Sequence, residues 1–378
     1  MLRLSCCWPL LLLLAAACGT AESVHDPSRF PEAGSRRGRA IALREVATSP
    51  SDAAFTAIDA LDVDSRGAIY VPDMYQTRIT VLDATGKVLR AFGRRGSGPG
   101  EFRSIRGVQV LAGDSLLAYD PTLGRITVFA PGSDQAAYSV SLAGKLPGPM
   151  PFEVRRTADN SALVALFRPQ FQFVAGADFS ARKDLVRLLA LDGAPQRDLL
   201  EFPSRSFLVA ENSVMPHPFG HEGFALLDSG NHLHFIWSDS LGVARYDLEG
   251  RRIGGFSLPY TAPPLTPDDH RDALAAIPEQ VRARFTPVLR DSLPSRWPAV
   301  RGAVMDDRDR IWVALGASAR QPSEWAAFSV DGAYLGSMLV PAGSEVRRIR
   351  ADGRVYASRN DEDDVPHVVI YQMARPLR

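Results

Sequence analysis

The amino-acid sequence predicts an all-β fold in which one four-stranded antiparallel unit is repeated along the chain. Short apolar runs alternate with turn residues, which the 30 glycines and 28 prolines help to supply. One segment also recurs, because Arg78-Ile79-Thr80-Val81 and Arg125-Ile126-Thr127-Val128 have the same sequence. A single four-stranded unit leaves an apolar face open to water, so we expect the units to stack on one another.

The first complete unit occupies residues 55–102. Turns are predicted at Asp64-Ser65-Arg66-Gly67 and from Asp83 to Gly86, because Asp, Ser and Gly readily adopt turn conformations. The strands around these turns are expected at 57–63, 68–73, 78–83 and 88–93. Five further units follow at 105–142, 152–202, 223–258, 300–340 and 346–372.

The motifs of the first unit resemble a known repeat. They read Asp64-x-x-Gly67-x-Ile69-Tyr70-Val71-x-Asp73, Arg78-Ile79-x-Val81-x-Asp83-x-x-Gly86, Phe92-Gly93 and Gly96-x-Gly98-Pro99-Gly100-Glu101-Phe102. This pattern is similar to the NHL-type propeller repeat. With its later, longer repeats, the chain resembles bacterial six-bladed β-propeller lipoproteins of the NHL-repeat-like and TolB-like group over residues 40–373. The resemblance implies a six-bladed β-propeller of four-stranded antiparallel blades, and it implies a fold rather than an activity.

The last repeat is one strand short, because only three strands fit between Val346 and Gln372. Its open edge needs a partner strand. The segment from Ala40 to Val46 is the strand that belongs to no unit. We therefore predict that this N-terminal strand closes the last blade, where about five ladder hydrogen bonds of about 0.5–1.5 kcal/mol each would add several kcal/mol.

Residues 263–298 interrupt the strand pattern, and we predict that they form a small helical insertion between blades 4 and 5. Thr266 suits an N-cap, and Pro267 suits the first helical position. Pro278 and Pro287 are expected to divide the insertion into two or three short helices, because proline interrupts the helical hydrogen-bond ladder.

The first 17 residues are predicted to be a signal peptide, because Arg3 precedes an apolar run from Trp8 to Leu14. The sequence Ala15-Ala16-Ala17-Cys18-Gly19 is similar to a bacterial lipobox. This resemblance implies a lipid on the thiol of Cys18, which would anchor the protein to a membrane. The same small residues suit ordinary signal peptidase, so secretion without a lipid is the alternative.

Residues 18–38 are predicted to be a flexible tether after Cys18, because Pro, Ser, Gly and charged residues occur there without periodicity. The propeller is assigned to residues 39–378. Cys6 and Cys7 lie in the signal peptide, so the mature chain is expected to form no intramolecular disulfide. These assignments predict a location in the bacterial cell envelope, on the periplasmic face or at the cell surface.

The charge balance gives no sign of a nucleic-acid partner, because the chain contains 43 Lys and Arg residues and an equal number, 43, of Asp and Glu residues. We expect a monomer that meets the membrane through its lipid and binds an unidentified protein, peptide or small-molecule ligand. The predicted function is therefore a ligand-binding or protein-interaction module. The alternative is a metal-dependent enzyme of the lyase or lactonase type with a site at the channel mouth, because six-bladed propellers with some likeness to this chain include such enzymes.

Weak candidates for a metal site are His217, His221 and Glu222, because imidazole and carboxylate groups suit zinc. They fall in a Pro-rich loop, which has no helical face to align the two rings, so a polar loop is the preferred interpretation. We predict no catalytic residue and no cofactor, and a calcium or zinc ion in the channel is kept as an alternative.

The distribution of connection lengths predicts which face binds a ligand. In a four-stranded meander, the links between strands 1 and 2 and between strands 3 and 4 lie on one face, and all other links lie on the opposite face. The first set is short, whereas the second holds every insertion, and long loops on a rigid scaffold commonly carry binding residues. We predict ligand contacts from Asp73, Arg106, Asp120, Phe171, Phe173, His217, Phe219 and His221.

Overall fold

The computed structural model describes residues 30–169, 182–211, 213–316, 318 and 320–377. Within these ranges the chain forms six four-stranded antiparallel sheets, one two-stranded sheet and three α-helices. The six sheets follow one another in sequence order, and the neighbouring inner strands of most blades contact one another around a central channel. The prediction of a six-bladed β-propeller with four-stranded blades is confirmed.

The first three blades contain strands β2 to β13, counted from the channel outward. Blade 1 comprises β2 (Asp62–Val63), β3 (Ile69–Asp73), β4 (Arg78–Leu82) and β5 (Val88–Phe92). Blade 2 comprises β6 (Gly107–Val110), β7 (Leu116–Asp120), β8 (Arg125–Phe129) and β9 (Ala136–Ser141). Blade 3 comprises β10 (Glu153–Arg156), β11 (Leu163–Phe167), β12 (Lys183–Leu189) and β13 (Pro195–Pro203).

The last three blades follow a short hairpin of β14 (Phe207–Ala210) and β15 (Ser213–Pro216). Blade 4 comprises β16 (Gly223–Leu227), β17 (Leu233–Trp237), β18 (Leu241–Tyr246) and β19 (Arg252–Leu258). Blade 5 comprises β20 (Val300–Met305), β21 (Ile311–Leu315), β22 (Ser323–Phe328) and β23 (Tyr334–Val340). Blade 6 comprises β24 (Glu345–Ile349), β25 (Arg354–Asn360), β26 (Pro366–Met373) and β1 (Leu43–Thr48).

The ring closes through β1, as the shortage of one strand in the last repeat predicted. This strand pairs antiparallel with β26, with Leu43 opposite Met373 and Thr48 opposite Val369. The strand begins at Leu43 rather than at Ala40, and Ile41 instead forms a parallel bridge with Met338 of blade 5. The N-terminal segment therefore joins blade 6 to its neighbour as well as completing it.

Apolar residues fill the spaces between neighbouring blades. Both faces of a middle strand are covered, so β3 and β7 are buried along their whole length. The core between blades 1 and 2 contains Tyr70, Ile79 and Val81 together with Val108, Leu116 and Phe129. This stacking confirms the expectation that the units bury their faces against one another.

The prediction of a flexible tether is wrong for residues 30–38, which pack against the propeller. Residues Ala33–Gly38 form helix α1, and Phe30 is buried against Tyr260, Phe328 and Tyr334. The guanidinium of Arg36 lies 4.3 Å from the ring centroid of Phe30, and its Nε lies 2.9 Å from the buried carboxylate of Glu324. The buried ring of Phe30 and the buried ion pair between Arg36 and Glu324 therefore hold residues 30–38 against the propeller. The predicted signal peptide, Cys18 and residues 18–29 of the tether lie outside the described residues.

A small subdomain, which we call the cap, covers part of one face. It combines two insertions, the β14–β15 hairpin within residues 204–222 and the helical segment 263–298. Their shared core contains Leu208, Phe219, Ile277, Phe285, Leu289 and Trp297. The helical insertion was predicted from the sequence, whereas the hairpin was not, because its prolines and histidines suggested an irregular loop.

The cap contains helices α2 (Pro267–Ala275) and α3 (Glu279–Asp291). Thr266 caps α2, because its hydroxyl accepts from the Asp269 amide at 3.2 Å and its own amide donates to the Asp269 carboxylate at 2.8 Å. Pro278 separates the helices as predicted, but Pro287 lies inside α3 and does not divide it. The buried side chains of Phe285 and Leu289 hold α3 in place on both sides of the proline.

Candidate functional site

The propeller has two faces that differ in their connections. The short-turn face carries the links between strands 1 and 2 and between strands 3 and 4, such as residues 64–67, 83–86 and 306–309. The long-loop face carries the other links, including the cap. Because the inner strand of each blade starts at the long-loop face, the residues just before these strands surround the channel mouth on that side.

At the short-turn end of the channel, ion pairs join blade 6 to its neighbours, blades 5 and 1. Arg348 lies 2.6 Å from Asp307 and 3.3 Å from Asp62, and Arg350 lies 2.8 Å from Asp307. Blade-to-blade hydrogen bonds surround this network, including the one that the Ser65 hydroxyl donates to Asp114 at 2.6 Å. The charges at this end are therefore engaged in holding blades together.

Three adjoining cavities lie at the long-loop end, with volumes of about 460, 610 and 360 Å³. Arg347 lines all three of them, and Arg205 lines the two larger ones. Six arginines and four carboxylates border this space: Arg106, Arg155, Arg168, Arg205, Arg301, Arg347, Asp59, Glu153, Glu222 and Glu345. The channel mouth is therefore rich in arginine.

Two of these arginines stack on the ring of Phe152, which precedes β10. The guanidinium carbon of Arg106, just before β6, lies 3.9 Å from the ring centroid of Phe152. That of Arg168, just after β11, lies 4.0 Å from the same centroid. Stacking on an aromatic face suits arginine because the guanidinium is planar and weakly hydrated. The ring therefore fixes the positions of both cations.

Burial lowers the pKa of both Arg106 and Arg205, and the neighbouring guanidinium of Arg168 lowers both values further. Arg168 itself has a partner, because its Nε lies 3.2 Å from the buried carboxylate of Asp184. Burial raises the pKa of Asp184, and the hydroxyl of Ser204 and the guanidinium of Arg168 oppose that shift. Arg106, Arg168 and Arg205 are thus close enough for their charges to repel one another, and Asp184 neutralises Arg168.

The side chains of Arg106 and Arg205 form no hydrogen bond and no ion pair within the part of the chain that the structure describes. The guanidinium carbon of Arg205 lies 5.3 Å from the ring centroid of Phe207, and its Nε is buried with no hydrogen-bond partner among the described residues. A buried donor without a partner is unfavourable by about 1–3 kcal/mol, and more when it is charged. Both guanidinium groups can therefore donate hydrogen bonds to an anion in the cavity.

Two further arginines enter the channel through β-bulges. The register of blade 5 shifts between Val300 and Gly302, and that of blade 6 shifts between Val346 and Arg348. Arg301 and Arg347 are thus the extra residues of their inner strands, and a bulge redirects the side chain of its extra residue. Sequence reasoning missed both, because an arginine in a predicted strand gives no sign of a bulge.

Asp73 and Asp120 do not contact the cavity, which corrects the prediction that they bind a ligand. Both side chains are 0% exposed. Asp73 accepts from the amides of Thr56, Tyr75 and Gln76 at 2.7–3.0 Å. Asp120 accepts from the amides of Arg103, Ser104 and Leu123 at 2.6–3.0 Å. Their carboxylates hold the loop that enters each blade against the turn between its second and third strands.

Phe219 is also structural rather than ligand-facing, because it is buried in the cap with its ring centroid 4.9 Å from that of Trp297. His217 Nδ1 accepts from the Phe219 amide at 3.1 Å, and its Nε2 donates to the carbonyl of Ser292 at 3.2 Å. Burial lowers the pKa of His217, against the opposing effect of the Ser292 carbonyl. His217 therefore ties the hairpin to α3, and Phe219 belongs to the same contact.

His221 packs against Trp237 with ring centroids 6.3 Å apart. Its Nδ1 is buried, and no described residue forms a hydrogen bond with it. Of the predicted contact residues, Arg106 is the one that lines the cavities, and Phe171 and Phe173 lie outside the described residues. In the ranges that the structure covers, no group of three or more His, Cys, Asp and Glu side chains is arranged to hold a metal ion. His217, His221 and Glu222 belong to no such group.

The blade topology and the ring closure define a six-bladed β-propeller, and a comparison with protein families agrees. Residues 49–130 match the model of a family described as a 6-bladed beta-propeller, DUF5128. A search of curated proteins gives no match. Among the described residues, no helix has the length and apolar character needed to cross a membrane.

Several solved structures are similar to this chain over most of its length, at low sequence identity. A protein from Bacteroides fragilis described as exported is 11% identical, with 88% of this chain and 96% of that chain covered and a TM-score of 0.47. A member of the DUF4221 family from Bacteroides vulgatus is 8% identical, with 87% and 97% covered and a TM-score of 0.49. Virginiamycin B lyase from Staphylococcus aureus is 12% identical, with 86% and 87% covered and a TM-score of 0.41.

Proposed function

We propose that this chain is an exported, lipid-anchored propeller that binds a small anionic molecule at the arginine-rich mouth of its long-loop face. The observation that carries the proposal is the pair of guanidinium groups, Arg106 and Arg205, that face one cavity of about 460 Å³ without an ion pair in the described chain. Export and lipidation rest on the apolar run before Cys18 and on the small residues that precede it.

An anion fits this site better than a neutral or cationic ligand does. A carboxylate or phosphate accepts two parallel hydrogen bonds from one guanidinium, and such charge-assisted bonds are about twice as strong as neutral ones. Three neighbouring arginines repel one another, as the lowered pKa of Arg205 reflects after the effect of its burial. A bound anion would relieve that repulsion and supply the missing hydrogen-bond partner of Arg205 Nε.

The size of the mouth favours a small molecule over a folded partner. A cavity of about 460 Å³ falls within the range of about 300–1,000 Å³ that small-molecule sites occupy. At the opposite end of the channel, Arg348 and Arg350 are already paired with Asp62 and Asp307, so we expect an anion to bind at the long-loop end.

The alternative function, a metal-dependent lyase or lactonase, needs several ligand side chains that converge on one metal ion. The described residues offer no such group, whereas anion binding needs only the guanidinium groups already at the mouth. We therefore favour binding over metal-dependent catalysis.

A screen of the purified mature chain tests this proposal. Citrate, inorganic phosphate and a set of N-acetyl-L-amino acids would be examined by ligand-observed NMR against the wild type and the double variant Arg106→Gln/Arg205→Gln. We expect at least one anion to bind the wild type and none to bind the double variant. Absence of binding to the wild type, or equal binding to both proteins, would refute it.

Metabolic labelling with palmitate tests the anchor. The wild type should incorporate the label and sediment with membranes, whereas Cys18→Ala should do neither. A wild type that takes up no label and appears in the soluble fraction would show secretion without a lipid.

A further inference from the structure

We infer that the ligand is a zwitterion of the amino-acid class, whose anionic group meets Arg106 and Arg205 and whose amino group meets Glu222. The inference rests on the proposed function and deepens it, because it names the chemistry of the ligand at the same mouth. The observation behind it is a carboxylate and a guanidinium that face one cavity without pairing with each other.

Glu222 is placed by the main chain at the base of the cap. It lies directly before β16, and its amide donates to the hydroxyl of Ser238 at 2.8 Å. Its carbonyl accepts from the amide of Ser238 at 3.0 Å, so both of its backbone groups are held by the end of β17. Its half-buried side chain lines the cavities of about 610 and 360 Å³.

The carboxylate of Glu222 has no hydrogen bond and no ion pair in the described part of the chain. The other half-buried carboxylate of the mouth, Glu153, lies 2.6 Å from Arg155. Glu345 is exposed and paired with Arg347, and Asp59 is exposed to solvent. Glu222 thus combines partial burial with the lack of a cationic contact.

Arg205 and Glu222 both line the cavity of about 610 Å³, but no nitrogen of Arg205 lies within 4.0 Å of the Glu222 carboxylate. Hydrogen bonds at the base of the hairpin fix the spacing between their backbones. The Ser206 amide donates to the carbonyl of His221 at 2.8 Å, and the His221 amide donates to the hydroxyl of Ser206 at 3.1 Å. Glu222 still raises the pKa of Arg205, after the stronger lowering by burial and by Arg168.

This separation selects among ligands by charge. A simple anion bound to Arg205 would be repelled by Glu222, because both residues line the cavity of about 610 Å³. A molecule that carries an ammonium group beside its carboxylate meets both charges, because the ammonium donates up to three hydrogen bonds to acceptors such as a carboxylate. A free amino acid carries both groups and is small enough for this cavity.

Calorimetric titration with matched probes tests the inference. Free L-amino acids and their N-acetyl counterparts would be titrated into the wild type, Glu222→Gln and Asp134→Asn. We expect the best free amino acid to bind the wild type at least about tenfold more tightly than its N-acetyl form. Glu222→Gln should remove that difference and leave N-acetyl binding equal or tighter. Asp134→Asn changes an exposed carboxylate between β8 and β9, on the short-turn face, and should leave the difference in place.

The outcomes separate this inference from the proposed function. If N-acetyl forms bind the wild type at least as tightly as the free amino acids, the zwitterion inference is wrong and anion binding stands. If free amino acids bind best but Glu222→Gln weakens the binding of free and N-acetyl amino acids equally, Glu222 does not contact the ammonium group. The inference then fails. If no probe and no simple anion binds, the proposed function fails as well. A thermal melt of each variant separates loss of binding from loss of folding.

Discussion

The two faces of the propeller use the same charged residue types in different ways. On the short-turn face, aspartates accept from main-chain amides two and four residues further on, as Asp64, Asp83 and Asp306 do. On the long-loop face, Arg106, Arg205 and Glu222 have no ion-pair partner among the described residues. The charged groups of the short-turn face therefore stabilise the fold, whereas those of the long-loop face remain available to a ligand.

This difference follows from the lengths of the connections. A four-residue turn places its carboxylate within reach of its own backbone, so the charge is satisfied locally. A long insertion brings residues from different blades to one cavity, where backbone hydrogen bonds fix their positions without pairing their charges. Substitutions on the two faces should consequently affect different properties, stability on one and binding on the other.

The largest loss of stability is expected from removing the N-terminal segment, which contributes to neither face. Deletion of residues 19–50 removes β1 and the Phe30 contact and leaves the buried Glu324 without Arg36. We expect a loss of several kcal/mol in the free energy of unfolding, because a strand ladder and a buried ion pair are both lost. Deletion of residues 19–29 is the control and should leave the melting temperature unchanged. Equal melting temperatures for both deletions would contradict the closure.

Asp306→Ala should be the most damaging single substitution on the short-turn face. The buried Asp306 carboxylate accepts from Arg310 Nε at 2.7 Å and from Trp312 Nε1 at 2.9 Å. Removal leaves the buried Arg310 without its carboxylate, and breaking such a pair typically costs about 3–5 kcal/mol. Urea denaturation would measure this loss. Glu222→Gln, on the other face, should change the free energy of unfolding by less than about 1 kcal/mol. A larger loss of stability in Glu222→Gln than in Asp306→Ala would contradict a structural short-turn face and a binding long-loop face.

The pH dependence of stability should reveal Asp228 in blade 4. Burial alone would raise the pKa of Asp228, but hydrogen bonds from His234 and from the amide and ring of His232 lower it to about 2. Because the ordinary value in an unfolded chain is about 3.9, the unfolded state binds the proton more tightly. The stabilisation is therefore complete above about pH 4 and is lost as the pH falls towards 2.

Asp228→Asn tests this pH dependence. The wild type should lose about 2 kcal/mol relative to the variant between about pH 4 and pH 2, measured by denaturation at each pH. Parallel stability curves for the two proteins over this range would show that Asp228 is not held ionised by its histidine neighbours.

The repeat pattern was enough to predict the blades, because strand periodicity and turn residues are local properties. Ring closure was also predictable, since a missing strand and an unassigned strand could be matched by counting. The contact of Phe30 and Arg36 was not, because one aromatic residue in a polar segment gives no periodic signal. Such a contact depends on a groove that forms only after blades 4 and 5 have folded.

The residues that line the channel mouth were only partly predictable, because most of them meet through contacts between blades and not through a local pattern. Arg106 was predicted because it lies in a connection assigned to the long-loop face, whereas Arg301 and Arg347 enter through bulges that leave no mark in the sequence. Asp73 and Asp120 were misassigned although they occupy equivalent positions in blades 1 and 2. Their recurrence in two repeats is typical of a structural residue, because a binding site seldom repeats from blade to blade.

The most direct test of the proposed binding mouth compares one arginine from each face. An anion that binds the wild type, taken from citrate, inorganic phosphate and the N-acetyl-L-amino acids, would be titrated calorimetrically into Arg205→Gln and Arg66→Gln. Arg66 lies in a short turn, 67% exposed and 3.5 Å from Asp64, so its loss removes a solvent-screened pair. The dissociation constant should rise at least about tenfold for Arg205→Gln and stay unchanged for Arg66→Gln. Unchanged affinity in Arg205→Gln, or equal weakening in both variants, would contradict a binding site at the long-loop mouth.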